Sequence, residues 1–276
     1  MLSICAVIIG DELLDGFVTD ANGPWLLERC QDLGTPLRSL QVVRDDIEDI
    51  QVALHQALSH DGPRLVLTCG GVGTTWDDVT YEAVAGTLEC GLRFDADLAA
   101  PVQYVMSYME EAGFPMDDDA IEAMHRIAHV PEPATTRIVR RFLACTITNI
   151  DGGCTGGSGA TIVTLPGPPG HLQAVFDAVV APEFLEGRGR FPVSVEVKHG
   201  YPEHILAGAI RRIRVEHPGV KIGSYPGKEM CVRFQGSTDD VDRCVEAFKE
   251  VLEEIDAHPA SVDLREIWKR QVAEWT

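Results

Sequence analysis

The chain has 276 residues, of which 45% are hydrophobic and 24% charged, the composition of a globular protein that can bury a sizeable core. Its 43 acidic residues outnumber 23 basic ones, and a net charge of −20 repels phosphate backbones and anionic lipids, so we expect neither nucleic-acid nor membrane binding. The apolar N-terminus lacks the basic lead-in and cleavage site of a signal peptide, and no apolar run is long enough to span a membrane, so we expect a cytoplasmic protein.

The eight cysteines are scattered along the chain without a C-x-x-C pair. A protein of this size does not depend on disulfides to stabilise a small core, and the spacing matches no common metal motif. We therefore expect free, mostly packed thiols.

The first part of the chain alternates between buried strands and amphipathic helices. Residues 2–9 form a continuous apolar run that ends at Gly10, as in a strand of a parallel sheet covered on both faces. Further strand patterns occupy residues 37–43 and 64–68, and helical patterns occupy residues 22–33, 46–58 and 79–88. This rhythm predicts a doubly wound α/β sheet with helices on both faces.

The pattern changes in the second half of the chain. Residues 95–129 predict two helices broken near residue 113, and residues 137–150 and 161–165 have strand character. After a linker at residues 186–190, a β-α-β-β-α order predicts a small α+β domain. The predicted division is an α/β domain at residues 1–185, an α+β domain at residues 191–256 and a helical tail at residues 257–276.

A glycine loop, TCGGVGTTWDDVT at residues 68–80, lies between a buried strand and a helix. Its glycines allow backbone N–H groups to approach an anion, and the following helix adds its positive end. Its side-chain oxygens suit a hard cation such as Mg²⁺. The glycines are Gly70, Gly71 and Gly73, and the oxygen-bearing side chains are Asp77, Asp78 and Thr80. The alternative is purely structural, with a tight turn and Asp78 as a helix N-cap.

A second acidic turn, GDELLDG at residues 10–16, also follows a buried strand. If the two strands are parallel neighbours, Asp11, Glu12 and Asp20 emerge on the same edge of the sheet as Asp78. Clustered carboxylates repel each other unless a cation neutralises them, which again favours Mg²⁺. The structural alternative is that these carboxylates are solvated and that Asp20 caps the following helix. A third turn, LPGPPG at residues 165–170, is by itself only a rigid connection.

These three motifs, in this order, resemble the molybdopterin-binding domain superfamily (MoaB/MogA-like). The resemblance covers most of residues 3–255 and is strongest to the N-terminal domain of CinA-type competence/damage-inducible proteins and the equivalent domain of eukaryotic FAD synthases. It implies a three-layer α/β core with a mostly parallel sheet, followed by the small α+β domain. It also implies a small phosphorylated ligand, either a dinucleotide or a pterin such as molybdopterin, and a homo-oligomer.

For the CinA-type branch the resemblance implies Mg²⁺-dependent cleavage of a pyrophosphate in an ADP-ribose- or FAD-like dinucleotide. Two other functions stay open: a non-catalytic module that binds molybdopterin or a nucleotide, and adenylylation of molybdopterin. Carried onto this sequence, the metal ligands are Asp78 and Asp11, and the catalytic carboxylates are Asp78, Asp11, Glu12 and Asp77. The ligand- and phosphate-binding residues are Gly70, Gly71, Gly73, Thr74, Thr80, Pro166, Gly167 and Pro168. Residues 121–159 do not match the family pattern.

Overall fold

The computed structural model describes residues 2–156, 158–225 and 230–273. The chain divides into two compact units, residues 1–190 and residues 191–276. The strands of the first unit are β1 (Ser3–Ile9), β2 (Ser39–Val43), β3 (Arg64–Cys69), β4 (Leu92–Phe94), β5 (His129–Pro131), β6 (Ala134–Arg140), β7 (Leu143–Ile150) and β8 (Ala160–Leu165). Its helices are α1 (Asp11–Leu14), α2 (Asn22–Asp32), α3 (Ile47–Leu58), α4 (Thr80–Thr87), α5 (Ala96–Glu111), α6 (Asp118–Arg126), α7 (Gly153–Gly156) and α8 (Pro169–Val175), which continues as a π-helix over Phe176–Leu185.

The centre of the first unit is a six-stranded sheet in the order β2-β1-β3-β8-β7-β6. The four strands β2, β1, β3 and β8 run parallel, and β7 pairs antiparallel with both β8 and β6. The carboxyl ends of the four parallel strands therefore meet at one edge of the sheet, where open α/β folds bind ligands.

Alternation along β1 explains why both faces of this sheet are covered. Ile4, Ala6 and Ile8 belong to a core packed against α2, α8 and the π-helix, whereas Cys5, Val7 and Ile9 belong to a second core packed against α3 and α4. Successive side chains of a strand point to opposite faces, so an uninterrupted apolar strand requires helices on both sides. The predicted three-layer α/β architecture with a mostly parallel sheet is confirmed.

Two local features differ from the sequence expectation. The strand predicted at residues 137–150 is instead a hairpin of β6 and β7, in which Arg140 pairs with Leu143 across a two-residue turn. Phe142 adopts a left-handed conformation in this turn, with φ 63°. Two-residue hairpin turns usually contain Asn-Gly or Asp-Gly, and the pair Arg141-Phe142 gives no such turn signal. The small antiparallel pairing of β4 with β5, which α5 and α6 separate in the chain, was also not predicted.

In its described residues, 191–225 and 230–273, the second unit contains a three-stranded antiparallel sheet and three helices. Its elements are β9 (Val193–His199), α9 (Glu203–Glu216), β10 (Lys221–Tyr225), β11 (Met230–Gly236), α10 (Thr238–Asp256) and α11 (Ser261–Ala273). The strand order is β10-β11-β9, and the alternating side chains Met230, Val232 and Phe234 are buried. This unit has its own hydrophobic core, as a small α+β domain requires.

Within the three stretches that the structure describes, no helix combines the length and the apolar character needed to cross a membrane.

Candidate functional site

A cavity of about 430 Å³ lies at the edge of the sheet where the parallel strands end. The loop after β1, the glycine loop after β3, the turn after β8 and the first residues of α2 all contribute to it. Its lining includes Gly10, Glu12, Val18, Asp20, Asn22, Asp45, Cys69, Gly70, Gly71, Thr75, Asp77, Asp78, Gly167 and Pro168. The three sequence motifs therefore meet at one site, which has the size of a small-molecule pocket.

The acidic turn after β1 is held in place by the residues that follow β2. The backbone N–H of Asp11 donates to Asp45 Oδ2 at 2.8 Å, and Arg44 donates to Asp11 Oδ1 at 3.2 Å and to Asp15 Oδ1 at 2.9 Å. The carboxylate of Asp11 is thus paired with a guanidinium, and Asp11 is not among the described residues that line the cavity. Its neighbour Glu12 does line the cavity.

The glycine loop is shaped by the side chain of Asp78. Asp78 Oδ2 accepts hydrogen bonds from the backbone N–H of Thr75 at 2.8 Å and from the Thr75 hydroxyl at 2.6 Å. The N-cap position of α4 is occupied by Val79, which makes no side-chain capping bond, so Asp78 is not the N-cap that the structural alternative expected. Asp78 closes the loop and still faces the cavity.

Thr80 secures the base of the same loop. Its hydroxyl, fully buried, donates to the carbonyl of Gly70 at 2.8 Å, and its N–H donates to the carbonyl of Gly71 at 3.0 Å. The predicted ligand-binding role of Thr80 therefore has a structural alternative, because the hydroxyl is used inside the loop.

Two of the loop glycines are required by close approaches of the chain to itself. Gly70 has φ 101°, and a Cβ there would collide with the carbonyl oxygen of Ile9 on β1. A Cβ on Gly73 would lie 2.6 Å from Asp78 Oδ2. Any larger residue at Gly73 would push the Asp78 carboxylate out of its turn, so the glycines fix the shape of this wall of the cavity.

Carboxylates dominate the electrostatics of the cavity. Glu12, Asp20, Asp45, Asp77 and Asp78 all line it. Burial raises the pKa of Asp45, and the nearby charges of Glu12, Asp11 and Asp77 raise it further, against the lowering effect of the hydrogen bond from the Asp11 N–H. A negative field of this kind disfavours a bare anion and favours a cation.

Asn22 ties three segments together at the floor of the cavity. Its side-chain amide donates to the carbonyl of Gly167 at 2.7 Å and to Cys69 Sγ at 3.2 Å, so the start of α2, the end of β3 and the turn after β8 are joined. Burial, followed by the charge of Asp20, raises the pKa of the Cys69 thiol to about 12. Cys69 is therefore a packed, unreactive thiol, and all eight cysteines of the chain are free.

The carboxylates of the cavity are hard oxygen donors of the kind that Mg²⁺ prefers. Among the described residues no group of three or more His, Cys, Asp or Glu side chains is placed to enclose a metal. Mg²⁺ typically takes one or two protein carboxylates and fills its remaining positions with water and phosphate oxygens. Asp77 Oδ1 is buried without a hydrogen-bond partner, an oxygen that a cation or hydrated cation would satisfy. The residues that would hold the ion are Asp77 and Asp78.

The predicted site residues fall into two groups. Glu12, Asp77, Asp78, Gly70, Gly71, Gly167 and Pro168 line the cavity, whereas Asp11, Gly73, Thr74, Thr80 and Pro166 lie beside it in the same loops. Sequence reasoning missed the contributions of Asn22 and Asp45. Asp45 follows β2 at the same carboxyl edge, and that position was the signal that could have identified it.

Arg126 on α6 supports the glycine loop from outside. Its Nη2 lies 3.3 Å from Glu82 Oε1 and 3.5 Å from the backbone carbonyl of Asp78. Residue 126 falls in the segment that could not be matched by motif, so its approach to the loop was not predicted.

Comparisons with known proteins agree with this architecture. The family described as "Probable molybdopterin binding domain" matches residues 5–186, most of the first unit. A CinA-like protein of Mycolicibacterium vanbaalenii is 35% identical over 211 residues, which cover 74% of this chain and 48% of that protein. A protein of Pyrococcus horikoshii is 28% identical over 80% of this chain and 86% of its own length. The crystal structure of a CinA protein of unknown function from Thermoplasma acidophilum superimposes with a TM-score of 0.52 at 24% identity, covering 65% of this chain and 96% of that one.

The chain spans about half the length of the CinA-like proteins that it matches. The likeness to the Thermoplasma structure shows the fold alone. The family match covers more than half of the chain, and it includes the acidic turn, the glycine loop and the proline turn that build the cavity. The chain therefore belongs to the molybdopterin-binding domain family and is similar to CinA-type proteins.

Proposed function

We propose that this protein is a Mg²⁺-dependent pyrophosphatase that cleaves an ADP-ribose- or FAD-like dinucleotide. The observation that carries the proposal is the meeting of two acidic loops at one cavity, with Glu12 on one side and Asp77 and Asp78 on the other. Five carboxylates around a cavity repel an anionic ligand unless a cation lies between them. A phosphorylated substrate accompanied by Mg²⁺ satisfies both requirements.

In this proposal, some carboxylates would hold the metal ion and another would activate the attacking water. Asp78, fixed by its two hydrogen bonds from Thr75, has one defined orientation toward the cavity. Glu12 is the carboxylate available to accept a proton from the attacking water, because Asp11 is engaged by Arg44 and Asp77 would hold the ion together with Asp78. When bound, Mg²⁺ offsets charge on the bridging phosphates and lowers the pKa of a coordinated water.

The reaction is an ordinary hydrolysis. The water oxygen bonds to one phosphorus, the bridging P–O bond breaks, and the water proton passes to a carboxylate. The products are two phosphate monoesters, which for ADP-ribose are AMP and ribose 5-phosphate. The N–H groups of Gly70 and Thr75 are already used within the protein, so the neutral donors for the phosphate oxygens would be other backbone N–H groups of the glycine loop, such as those of Gly71 and Gly73.

The test of this proposal is Asp78→Asn. Asparagine keeps an acceptor oxygen for the Thr75 N–H, so we expect the fold and the loop to persist while Mg²⁺-dependent hydrolysis of ADP-ribose or FAD falls by at least about 100-fold. EDTA should abolish wild-type turnover. The matched control is Asp61→Asn, an exposed aspartate in the turn that precedes β3 at the opposite edge of the sheet, which should leave turnover unchanged. Purified wild-type protein that hydrolyses no dinucleotide with any divalent ion would falsify the proposal.

A binding module without turnover is the second candidate function. The lack of a ready three-carboxylate metal site among the described residues favours it, and the family description names molybdopterin as the ligand class. Calorimetry with nucleotides and with molybdopterin, run beside the turnover assay, separates the two. Binding without hydrolysis identifies a module, and hydrolysis identifies the enzyme. Adenylylation requires ATP, so formation of an adenylylated pterin from molybdopterin and ATP would identify that third activity.

A further inference from the structure

The two most exposed large apolar side chains among the described residues lie on two of the loops that contribute to the cavity. Trp76 is 83% exposed and Phe17 is 82% exposed. Trp76 lies between Thr75 and Asp77, both of which line the cavity, and Phe17 precedes Val18, which also lines it. A single exposed apolar residue is common, whereas exposed aromatic side chains on two loops of one cavity are candidates for a ligand contact.

Trp76 is not needed for the shape of its own loop. The loop is closed by hydrogen bonds between Asp78 and Thr75 and by the buried hydroxyl of Thr80, and none of these involves the indole. Exposure of the apolar indole to water is unfavourable, and none of the hydrogen bonds that close the loop depends on it. An exposed indole with no role in the loop is a candidate for contact with a bound ligand.

The chemistry of the cavity restricts what that contact is. Its acidic lining suits a phosphate group with a cation, whereas a flat uncharged ring gains more from an aromatic surface than from carboxylates. A ligand with a pyrophosphate in the cavity would carry its attached ring beyond the acidic lining, toward the loops on which Trp76 and Phe17 are exposed. Aromatic side chains stack on any heterocyclic base, because every base offers a π-face.

We propose that Trp76, with Phe17 as a second ring, forms a stacking platform for the planar heterocycle of the ligand whose phosphates occupy the cavity. The ligand class is thus a phosphorylated compound with a fused aromatic ring, such as a purine nucleotide. This inference rests on the proposed function for the placement of the phosphates, but it assigns a recognition role that hydrolysis alone does not require.

The experiment compares two ligands that differ in the ring. AMP carries an adenine and ribose 5-phosphate does not, and a pyrophosphatase consumes neither of them during a binding measurement. By calorimetry in the presence of Mg²⁺, Trp76→Ala should weaken AMP binding roughly 5- to 100-fold and leave ribose 5-phosphate binding unchanged. Trp76→Phe should retain most of the AMP affinity, and Phe17→Ala should show a smaller loss than Trp76→Ala. Tyr108→Ala, which removes an exposed ring of α5 that is not part of the cavity lining, is the matched control.

Three outcomes overturn the inference. Equal losses for AMP and ribose 5-phosphate would show that Trp76 acts only through the shape of the loop. Unchanged AMP affinity together with a changed sedimentation coefficient in Trp76→Ala would assign the ring to self-association. A wild-type protein that binds neither compound but hydrolyses ADP-ribose would remove this inference and leave the proposed function in place.

The kinetic readout separates the two proposals. With ADP-ribose as substrate, Trp76→Ala should raise KM by a factor similar to its loss of AMP affinity and leave kcat nearly unchanged, whereas Asp78→Asn lowers kcat. If the wild-type protein binds AMP but hydrolyses no dinucleotide, hydrolysis fails as the function, and the Trp76 binding comparison still decides whether the platform exists.

Discussion

Asp95 is the residue whose charge contributes most clearly to the stability of the first unit. It is only 6% exposed, and its carboxylate accepts hydrogen bonds from the Thr136 hydroxyl at 2.8 Å, from Arg93 at 3.1 Å and from the N–H groups of Asp97 and Leu98. Burial alone raises its pKa, but these hydrogen bonds and the Arg93 charge outweigh burial, so the pKa of Asp95 lies below its usual value. One side chain thus joins β4, β6 and the start of α5.

The sign of the resulting pH dependence follows from that lowered pKa. The folded state holds the Asp95 proton less tightly than the unfolded chain does, so the stabilisation is fully present above the unfolded pKa of about 4 and is lost as the pH falls through the folded value. Replacing Asp95 with Ala leaves Arg93 and Thr136 without their partner. We expect the free energy of unfolding at pH 7 to fall by about 3 kcal/mol.

Urea denaturation of wild type and Asp95→Ala between pH 7 and pH 3 tests this expectation. The difference between the two proteins should shrink toward acid pH, because the wild-type carboxylate becomes protonated. Asp97→Ala, in the first turn of the same helix, is the control and should have little effect. A difference that stays constant with pH would mean that packing, not the charge, is the contribution of Asp95.

At the same scale, single-residue roles in the cavity were only partly predictable from the sequence. Glu12 and the glycine loop that carries Asp78 each follow a buried strand, so their position at the carboxyl edge was readable from the pattern. The pairing of Asp11 with Arg44, in contrast, depends on the register of β1 with β2, which brings the ends of both strands together. A sequence contains no local signal for that register, and so it could not show that Asp11 turns toward a guanidinium.

At the scale of elements, the glycine loop is determined by its approach to β1. Gly70 has φ 101°, and a Cβ there meets the carbonyl of Ile9, so Gly70→Ala combines a disfavoured backbone conformation with a collision against backbone. We expect a loss of roughly 2–4 kcal/mol in the free energy of unfolding, together with loss of ligand binding, because the loop must move away from the cavity.

The control for this prediction is a glycine with open space around it. Gly170 lies in the first turn of α8 with nothing within 4 Å of an added Cβ, so Gly170→Ala should be neutral or slightly stabilising. Thermal unfolding of both variants, with calorimetry for ligand binding, makes the comparison. A Gly70→Ala protein with wild-type stability would contradict the close approach to Ile9.

The elements themselves were largely predictable wherever hydrophobic periodicity was strong. The long apolar run of β1 and the helical spacing of α2 and α3 predicted all three elements within a few residues of their observed bounds. The hairpin of β6 and β7 was read as one strand because its turn consists of Arg141 and Phe142, which carry no turn signal. The π-helix after α8 was likewise invisible, since its wider winding leaves no distinct sequence period.

At the scale of the whole molecule, the net negative charge and the acidic cavity both favour divalent cations over free anions. A net charge of −20 raises the local concentration of divalent cations and lowers that of free anions. A phosphorylated ligand therefore approaches this protein more favourably as its Mg²⁺ complex than as a free anion.

The location of the cavity predicts which part of the chain is sufficient for binding. Every residue that lines it, from Ile8 to Pro169, belongs to the first unit, which also contains two separate helix-covered cores on one sheet. A chain truncated after Arg190 retains both cores, so we expect it to unfold in a single cooperative transition and to bind AMP with an affinity within about threefold of that of the full chain. Circular dichroism melting and calorimetry provide the two measurements.

The complementary chain, residues 191–276, has its own core and is the control that should fold without binding AMP. Asp78→Asn in the truncated chain should reproduce the loss of turnover that we expect in the full chain. If the truncated chain folds but loses affinity, then residues beyond Arg190 contribute to the site, and the carboxylates of the first unit are not sufficient. If it fails to fold, the two units depend on each other for stability even though each has a core of its own.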